Sequence, residues 1–145
     1  MTKDMLDFGY HVQLEADPDG GFMVTCRDIP ELITGGDSEA DALWTARDGL
    51  FTALSTYLEQ GKPLPAKTHS SGDLVYPMPS DSLKLAVMDA LNKSGLTTAE
   101  LAKRANLTKE DVELIVTWNE ESDPAKAEQA LAALGQRTHL LVEAA

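Results

Sequence analysis

Two short stretches of alternating apolar and polar residues, separated by a run of turn formers, constrain this chain more than any other feature. Tyr10, Val12 and Leu14 fall on one face of the first stretch, and Phe22, Val24 and Cys26 on one face of the second, because successive strand side chains point to opposite sides. Between them lies Asp17-Pro18-Asp19-Gly20-Gly21, whose residues adopt positive φ or hydrogen-bond their own backbone at little cost. The combination predicts a β-hairpin with a longer, glycine-containing loop. Asp17, Asp19 and Gly20 also begin like a calcium loop, but the third oxygen ligand and the bidentate glutamate are missing at the required spacing, so the segment reads as a turn.

A third strand is expected at Leu32-Ile33-Thr34, ending in Gly35-Gly36, read as a turn where glycine makes positive φ inexpensive. Ser38 is a good helix N-cap with Asp41 three residues on, and Glu39 and Asp41 lie where the helix dipole favours negative charge. Leu43, Ala46, Leu50, Ala53, Leu54, Tyr57 and Leu58 recur at helical spacing, with Trp44, Phe51 and Ser55 as a flanking row. So wide an arc predicts a helix that covers the sheet and touches something else. Gly61 and Pro63 end it, and the segment from Pro63 to Gly72 reads as an exposed connection. Leu74-Val75-Tyr76-Pro77-Met78-Pro79 is a short β-prone run that its prolines confine to an edge.

Pro79-Ser80-Asp81 marks the expected boundary between residues 1–79 and 80–145. Beyond it, Ser82 to Lys93 reads as a helix with Leu83, Val87, Ala90 and Leu91 on its apolar face, stopped by Gly95. Thr98 to Ala105 makes a second, short helix; Asn106-Leu107 is a tight turn; Thr108 caps a third helix that turns Val112, Ile115 and Val116 inward. Asp123-Pro124 opens a fourth, running through Ala127, Ala130, Leu131 and Leu134 to Gly135. His139-Leu140-Leu141-Val142 is a terminal β-like run, a candidate strand shared across a dimer.

Charge and composition narrow the function. The 145 residues carry a formal charge of −12, which argues against unaided binding to phosphate and for a basic partner, or else serves solubility alone. No apolar run approaches the roughly 18 residues that span a bilayer, and no signal-peptide hydrophobic region follows Met1-Thr2-Lys3-Asp4. A cytoplasmic protein without membrane contact is therefore expected. Cys26 is the one cysteine, which forbids an intramolecular disulfide and suits a small buried hydrophobe. Two-metal hydrolysis needs converging carboxylates, and nothing forces Glu15 and Asp48 together. His11, His69 and His139 have no partner at a metal-binding interval, and Ser55 and Ser70-Ser71 sit in no nucleophile elbow. Gly20-Gly21 and Gly35-Gly36 open no helix that could cradle phosphate. No catalytic residue, cofactor or metal is expected.

The run from Asp17 to Ala40 resembles the signature of HicB-type antitoxins. Leu96-Thr97-Thr98-Ala99-Glu100-Leu101-Ala102-Lys103-Arg104-Ala105-Asn106-Leu107-Thr108 is similar to the first helix and turn of a helix-turn-helix. The resemblance implies an α+β protein: a partial ribonuclease-H-like β-β-β-α-β domain over residues 1–79, then an all-α, lambda-repressor-like domain over 80–145. It further implies the antitoxin of a type II pair, in which the first domain captures HicA, a small basic messenger-RNA-cleaving toxin with a double-stranded-RNA-binding-like fold, and occludes its active site. The second domain is implied to dimerise and to repress its own operon, with Thr98, Lys103, Arg104, Thr108 and Lys109 as DNA-binding residues. Two departures stand out. Asn106 replaces the usual turn glycine, and Glu110, Asp111 and Glu113, followed by Glu120, Glu121 and Asp123, put acids where phosphates would be met. A dimerisation module sharing the packing alone is the competing reading of this domain. For the whole chain the alternatives are a free-standing regulator with a ligand- or protein-sensing N-terminal domain, and a metal-dependent nuclease.

Overall fold

A computed structural model describes residues 5–145. The hairpin forms as its alternation demands: β1 (Tyr10–Ala16) pairs antiparallel with β2 (Phe22–Thr25), bringing Leu14 opposite Val24. In the loop, Asp17 Oδ1 accepts from the backbone of Asp19 at 2.9 Å, and Gly20 and Gly21 take φ of 106° and 76°. β3 (Ile33–Gly36) pairs antiparallel with β2, and β4 (Asp73–Val75) with β1, giving the order β3-β2-β1-β4. The α1 helix (Glu39–Glu59) packs on all four strands, and Ser38 Oγ accepts from Asp41 N at 3.1 Å as its N-cap. The order β-β-β-α-β is the expected one.

Two local expectations are corrected. Gly35 and Gly36 lie within β3 and do not take positive φ. Their lack of a side chain serves close approach instead: a Cβ on Gly35 would meet Phe22 O at 2.5 Å, and one on Gly36 would meet Ala42 N at 2.6 Å. On α1, Phe51 and Ser55 are core residues rather than a flanking row, whereas Trp44 is exposed and Leu43 and Tyr57 only partly covered. The helix buries Ala42, Ala46, Leu50, Ala53, Leu54 and Leu58 as well, so the expected stripe holds at five of its seven positions and departs from the core at Leu43 and Tyr57. The buried Ser55 hydroxyl is satisfied by donating to Thr52 O at 2.9 Å.

The chain divides into two compact units, Met1–Ser82 and Leu83–Ala145. Pro79-Ser80-Asp81, the expected boundary, forms the first turn of α2 (Pro79–Ser94), where proline costs no intrahelical hydrogen bond. Three shorter helices follow: α3 (Thr98–Ala105), α4 (Lys109–Val116) and α5 (Pro124–Ala133). Val87 and Leu91 join Leu101, Val112, Ile115 and Leu131 in one apolar cluster, with Leu83 and Ala90 only partly buried against it. Within the single chain the terminal run forms no strand, and Leu140, Leu141 and Val142 are exposed. A strand needs a neighbour for its backbone groups, and among the described residues none pairs with it. No helix among the described residues is long and apolar enough to cross a membrane.

Candidate functional site

In the first unit, the expected exposed connection from Pro63 to Gly72 is tied to the residues around the sheet. Just past β2, Asp28 Oδ2 accepts from the backbone N–H groups of Thr68 and His69 at 2.9 and 3.1 Å, and Oδ1 accepts from the Thr68 hydroxyl and lies 2.7 Å from His69 Nδ1. The Thr68 hydroxyl, then His69, hold the Asp28 carboxyl well below the usual carboxylate range. Tyr10 donates from its hydroxyl to Pro65 O at 2.7 Å, and burial, assisted by the charge of Asp28, pushes its pKa up to about 12. Lys67 lies 5.1 Å from the Tyr10 ring centre and donates to Asp7 O. These contacts tie Pro65, Lys67, Thr68 and His69 to the rest of the unit. Burial raises the Cys26 thiol, which packs as the small hydrophobe expected of it. Glu15 and Asp48 stand exposed on β1 and α1, and among the described residues no three His, Cys, Asp or Glu side chains gather as metal ligands.

The opposite flank is open. Between α1 and the edge strand β3 runs a groove of about 560 Å³, walled by Thr45, Asp48, Thr52 and Thr56 on the helix and by Ile33 and Thr34 on the strand. At its rim Glu31 accepts from the Tyr57 hydroxyl through both oxygens, at 2.9 and 2.8 Å. That contact raises the phenol's pKa and holds the carboxylate in place.

In the second unit the turn between α3 and α4 is built as its residues dictate. Thr97 and Glu100 form a capping box at the start of α3. Asn106 ends the helix at φ 57°, the left-handed conformation asparagine tolerates, and lets Leu107 N donate to Ala102 O at 2.8 Å. Thr108 and Asp111 form a second capping box at the start of α4.

The expected DNA-contacting residues fall around this turn. Thr98 opens α3 and is partly buried; Lys103 and Arg104 are exposed in its last turn. Thr108 spends its hydroxyl oxygen on the cap, and Lys109, exposed at the start of α4, lies 3.6 Å from Glu113. The acidic face is smaller than the sequence suggested. Asp111 is partly buried and accepts from Lys126 at 2.8 Å; Lys126 and Thr108 together depress its pKa, while Asp111 raises that of Lys126. Asp123 is used as the N-cap of α5. Glu110 and Glu113 remain as exposed acids of α4.

Sequence reasoning missed Lys84. It is 4% exposed and donates to Leu114 O at 3.0 Å, to Thr117 O at 2.7 Å, and to Glu120 O. An amine from α2 thus serves the carbonyl end of α4, which has no basic residue in its own last turn. A lysine beside the expected apolar face looks like a solvated neighbour, so only the packing shows its role.

Comparison with known proteins bears on both units. The family model described as HicB-like antitoxin of bacterial toxin-antitoxin system matches residues 9–86. Antitoxin HicB of Escherichia coli (strain K12) is 31% identical over 135 residues, covering 92% of this chain and 98% of that protein. Antitoxin HicB of Pseudomonas fluorescens (strain Pf0-1) is 33% identical over 141 residues, covering 95% and 96%. Antitoxin HicB 1 of Photorhabdus laumondii subsp. laumondii is 32% identical over 134 residues, covering 92% and 86%. With the hairpin, edge strand and long helix inside the matched segment, the chain belongs to the HicB-like antitoxin family of bacterial toxin–antitoxin systems.

Proposed function

We propose that the first unit captures a small, basic, HicA-type toxin that cleaves messenger RNA and blocks its active site, and that the second unit dimerises and represses the operon encoding the pair. The protein acts by binding, not by catalysis. The observation that carries the capture reading, beside family membership, is the one-sided charge of the first unit. Across residues 5–50 it offers Asp7, Glu15, Asp17, Asp19, Asp28, Glu31, Asp37, Glu39, Asp41 and Asp48 against Arg27 and Arg47. Such a surface steers a cationic nuclease to itself and competes with the charge of its RNA. Repression is assigned to Thr98, Lys103, Arg104, Thr108 and Lys109, with the two acids Asp111 and Asp123 taken up by caps as support. The exposed terminal run around Leu140 is a candidate contribution to the dimer.

The test uses the full chain and the product of the reading frame beside its gene, expected to be a small, basic protein. Co-expression should relieve that protein's growth arrest and yield a complex whose association slows as salt is raised. A gel shift on the upstream DNA should show binding that Arg104→Ala both weakens and makes less salt-dependent, the slope of log affinity against log salt falling by about one unit for each phosphate no longer neutralised. Failure to capture the neighbouring protein refutes the first half of the reading; absence of any shift, with or without toxin, refutes the second.

A further inference from the structure

β3 is the outermost strand of the sheet: β2 pairs with it on one side, and among the described residues no strand pairs on the other. A free edge presents backbone donors and acceptors to any extended segment that approaches, and edges are commonly protected by lysine, proline or a bulge. The sequence of β3, Ile33-Thr34-Gly35-Gly36, contains no lysine or proline. Ile33 is 68% exposed, although Leu32 beside it is fully in the core. The groove along this edge has a shallow floor at Gly49, where a Cβ would find its nearest neighbour, Thr34 Cγ2, at 3.8 Å. The helix wall is polar and lined with acceptors: the Thr45 and Thr56 hydroxyls donate back to Asp41 O and Thr52 O at 2.8 and 2.9 Å, which leaves oxygen lone pairs to receive donors.

The surrounding charge selects the occupant. From residue 31 to residue 60 the chain carries Glu31, Asp37, Glu39, Asp41, Asp48 and Glu59 against the single cation Arg47, and Arg47 is engaged with the Tyr76 and Pro77 carbonyls. Among the described residues that line the groove, Lys62 is the one cation, against Glu31 and Asp48. Glu31 is held at the rim by Tyr57 before any partner arrives.

We propose that this edge and groove are where the basic partner docks: an extended segment of alternating apolar and cationic residues adds as a fifth strand beside β3. Its apolar side chains cover Ile33, and its cations lie against Glu31 and Asp48. This is the strand-addition mode of recognition, with backbone bonds supplying affinity and side chains specificity. A second copy of this chain is a poor occupant, since β3 against β3 would face the same carboxylates with one another. The inference rests on the capture reading and adds the surface to it.

The experiment measures affinity of the full chain, and of Ile33→Lys and Asp48→Lys variants, for the product of the reading frame beside its gene, expected to be small and basic. Both positions are exposed, so the variants should melt with the wild type, and each should bind at least tenfold more weakly. Leu74→Lys, exposed on the strand at the other edge, should bind within twofold of wild type. Amides of residues 33–36 should exchange more slowly in the complex. Wild-type capture with undiminished binding by Ile33→Lys and Asp48→Lys, or with unchanged exchange at β3, overturns the docking assignment and leaves the capture reading standing. Failure of the wild type to capture overturns both. Loss of self-association in Ile33→Lys, with toxin binding intact, would identify a second copy as the occupant and overturn the proposal.

Discussion

Replacing Lys84 with methionine removes an ammonium group and keeps most of the volume of its stem, which isolates what the charge does. Three protons on Nζ meet the carbonyls of Leu114, Thr117 and Glu120, at the end of α4 where intrahelical partners run out and the helix dipole is negative. Hydrogen bonds to a charged group contribute about 1.5–3 kcal/mol each, net of the water they replace, and three that share one ammonium do not add in full. The expected net is a loss of about 2–4 kcal/mol from the second unit. In a domain of this size each kcal/mol moves the melting temperature by about 4–8 °C, giving a fall of roughly 8–32 °C. Calorimetry or urea unfolding of the full chain, followed through Trp118, reads it directly. Lys109→Met is the control, because the Lys109–Glu113 pair is exposed at 3.6 Å and such pairs contribute about 0–1 kcal/mol. If Lys84→Met unfolds within about 1 kcal/mol of wild type, as the control should, an α2 amine does not support the end of α4.

Two further outcomes test the first unit. Because the folded pKa of Asp28 is depressed, its contribution to stability is complete above the ordinary aspartate value of about 3.9, erodes as pH falls below it, and is gone beneath the folded pKa. Urea unfolding should therefore show a gap between wild type and Asp28→Asn that is constant near neutral pH and narrows in acid; a gap independent of pH would refute the assignment. The glycines should separate by sign: Gly36→Ala, whose Cβ would meet Ala42 N at 2.6 Å, should destabilise by about 1–3 kcal/mol. Gly49→Ala, in mid-helix with its nearest neighbour at 3.8 Å, should stabilise by about 0.5–1 kcal/mol. Equal effects of the two in denaturant titrations would show that close approach is not what β3 needs glycine for.

How far each feature is legible in the sequence depends on the range over which it is decided. Alternation of Tyr10, Val12, Leu14 and of Phe22, Val24, Cys26 specifies the hairpin, because strand periodicity is a property of a few adjacent residues. Caps at Ser38, Thr108 and Asp123, and the left-handed turn at Asn106, are legible for the same reason: a cap joins residues two or three apart in sequence. The family motif likewise lies within one continuous segment. The turn expected at Gly35-Gly36 fails even so, since the close approach of Phe22 and Ala42 concerns elements that sequence spacing does not relate.

The amino-acid order alone determined the types and order of the elements from β1 to α5, the acidic surplus of the first half and the inert character of Cys26, all of which follow from local pattern and composition. Tertiary structure decided what long-range pairing decides. It placed β3 at the edge with Ile33 uncovered, drew residues 65–69 onto Asp28 across some forty positions of chain, set Lys84 against the end of α4, and neutralised Asp111 with Lys126. The physical reason is common to all four. A charged or apolar side chain has no fixed energetic sign until its neighbours are known, because burial penalises it when unpaired and packing or hydrogen bonding favours it when matched.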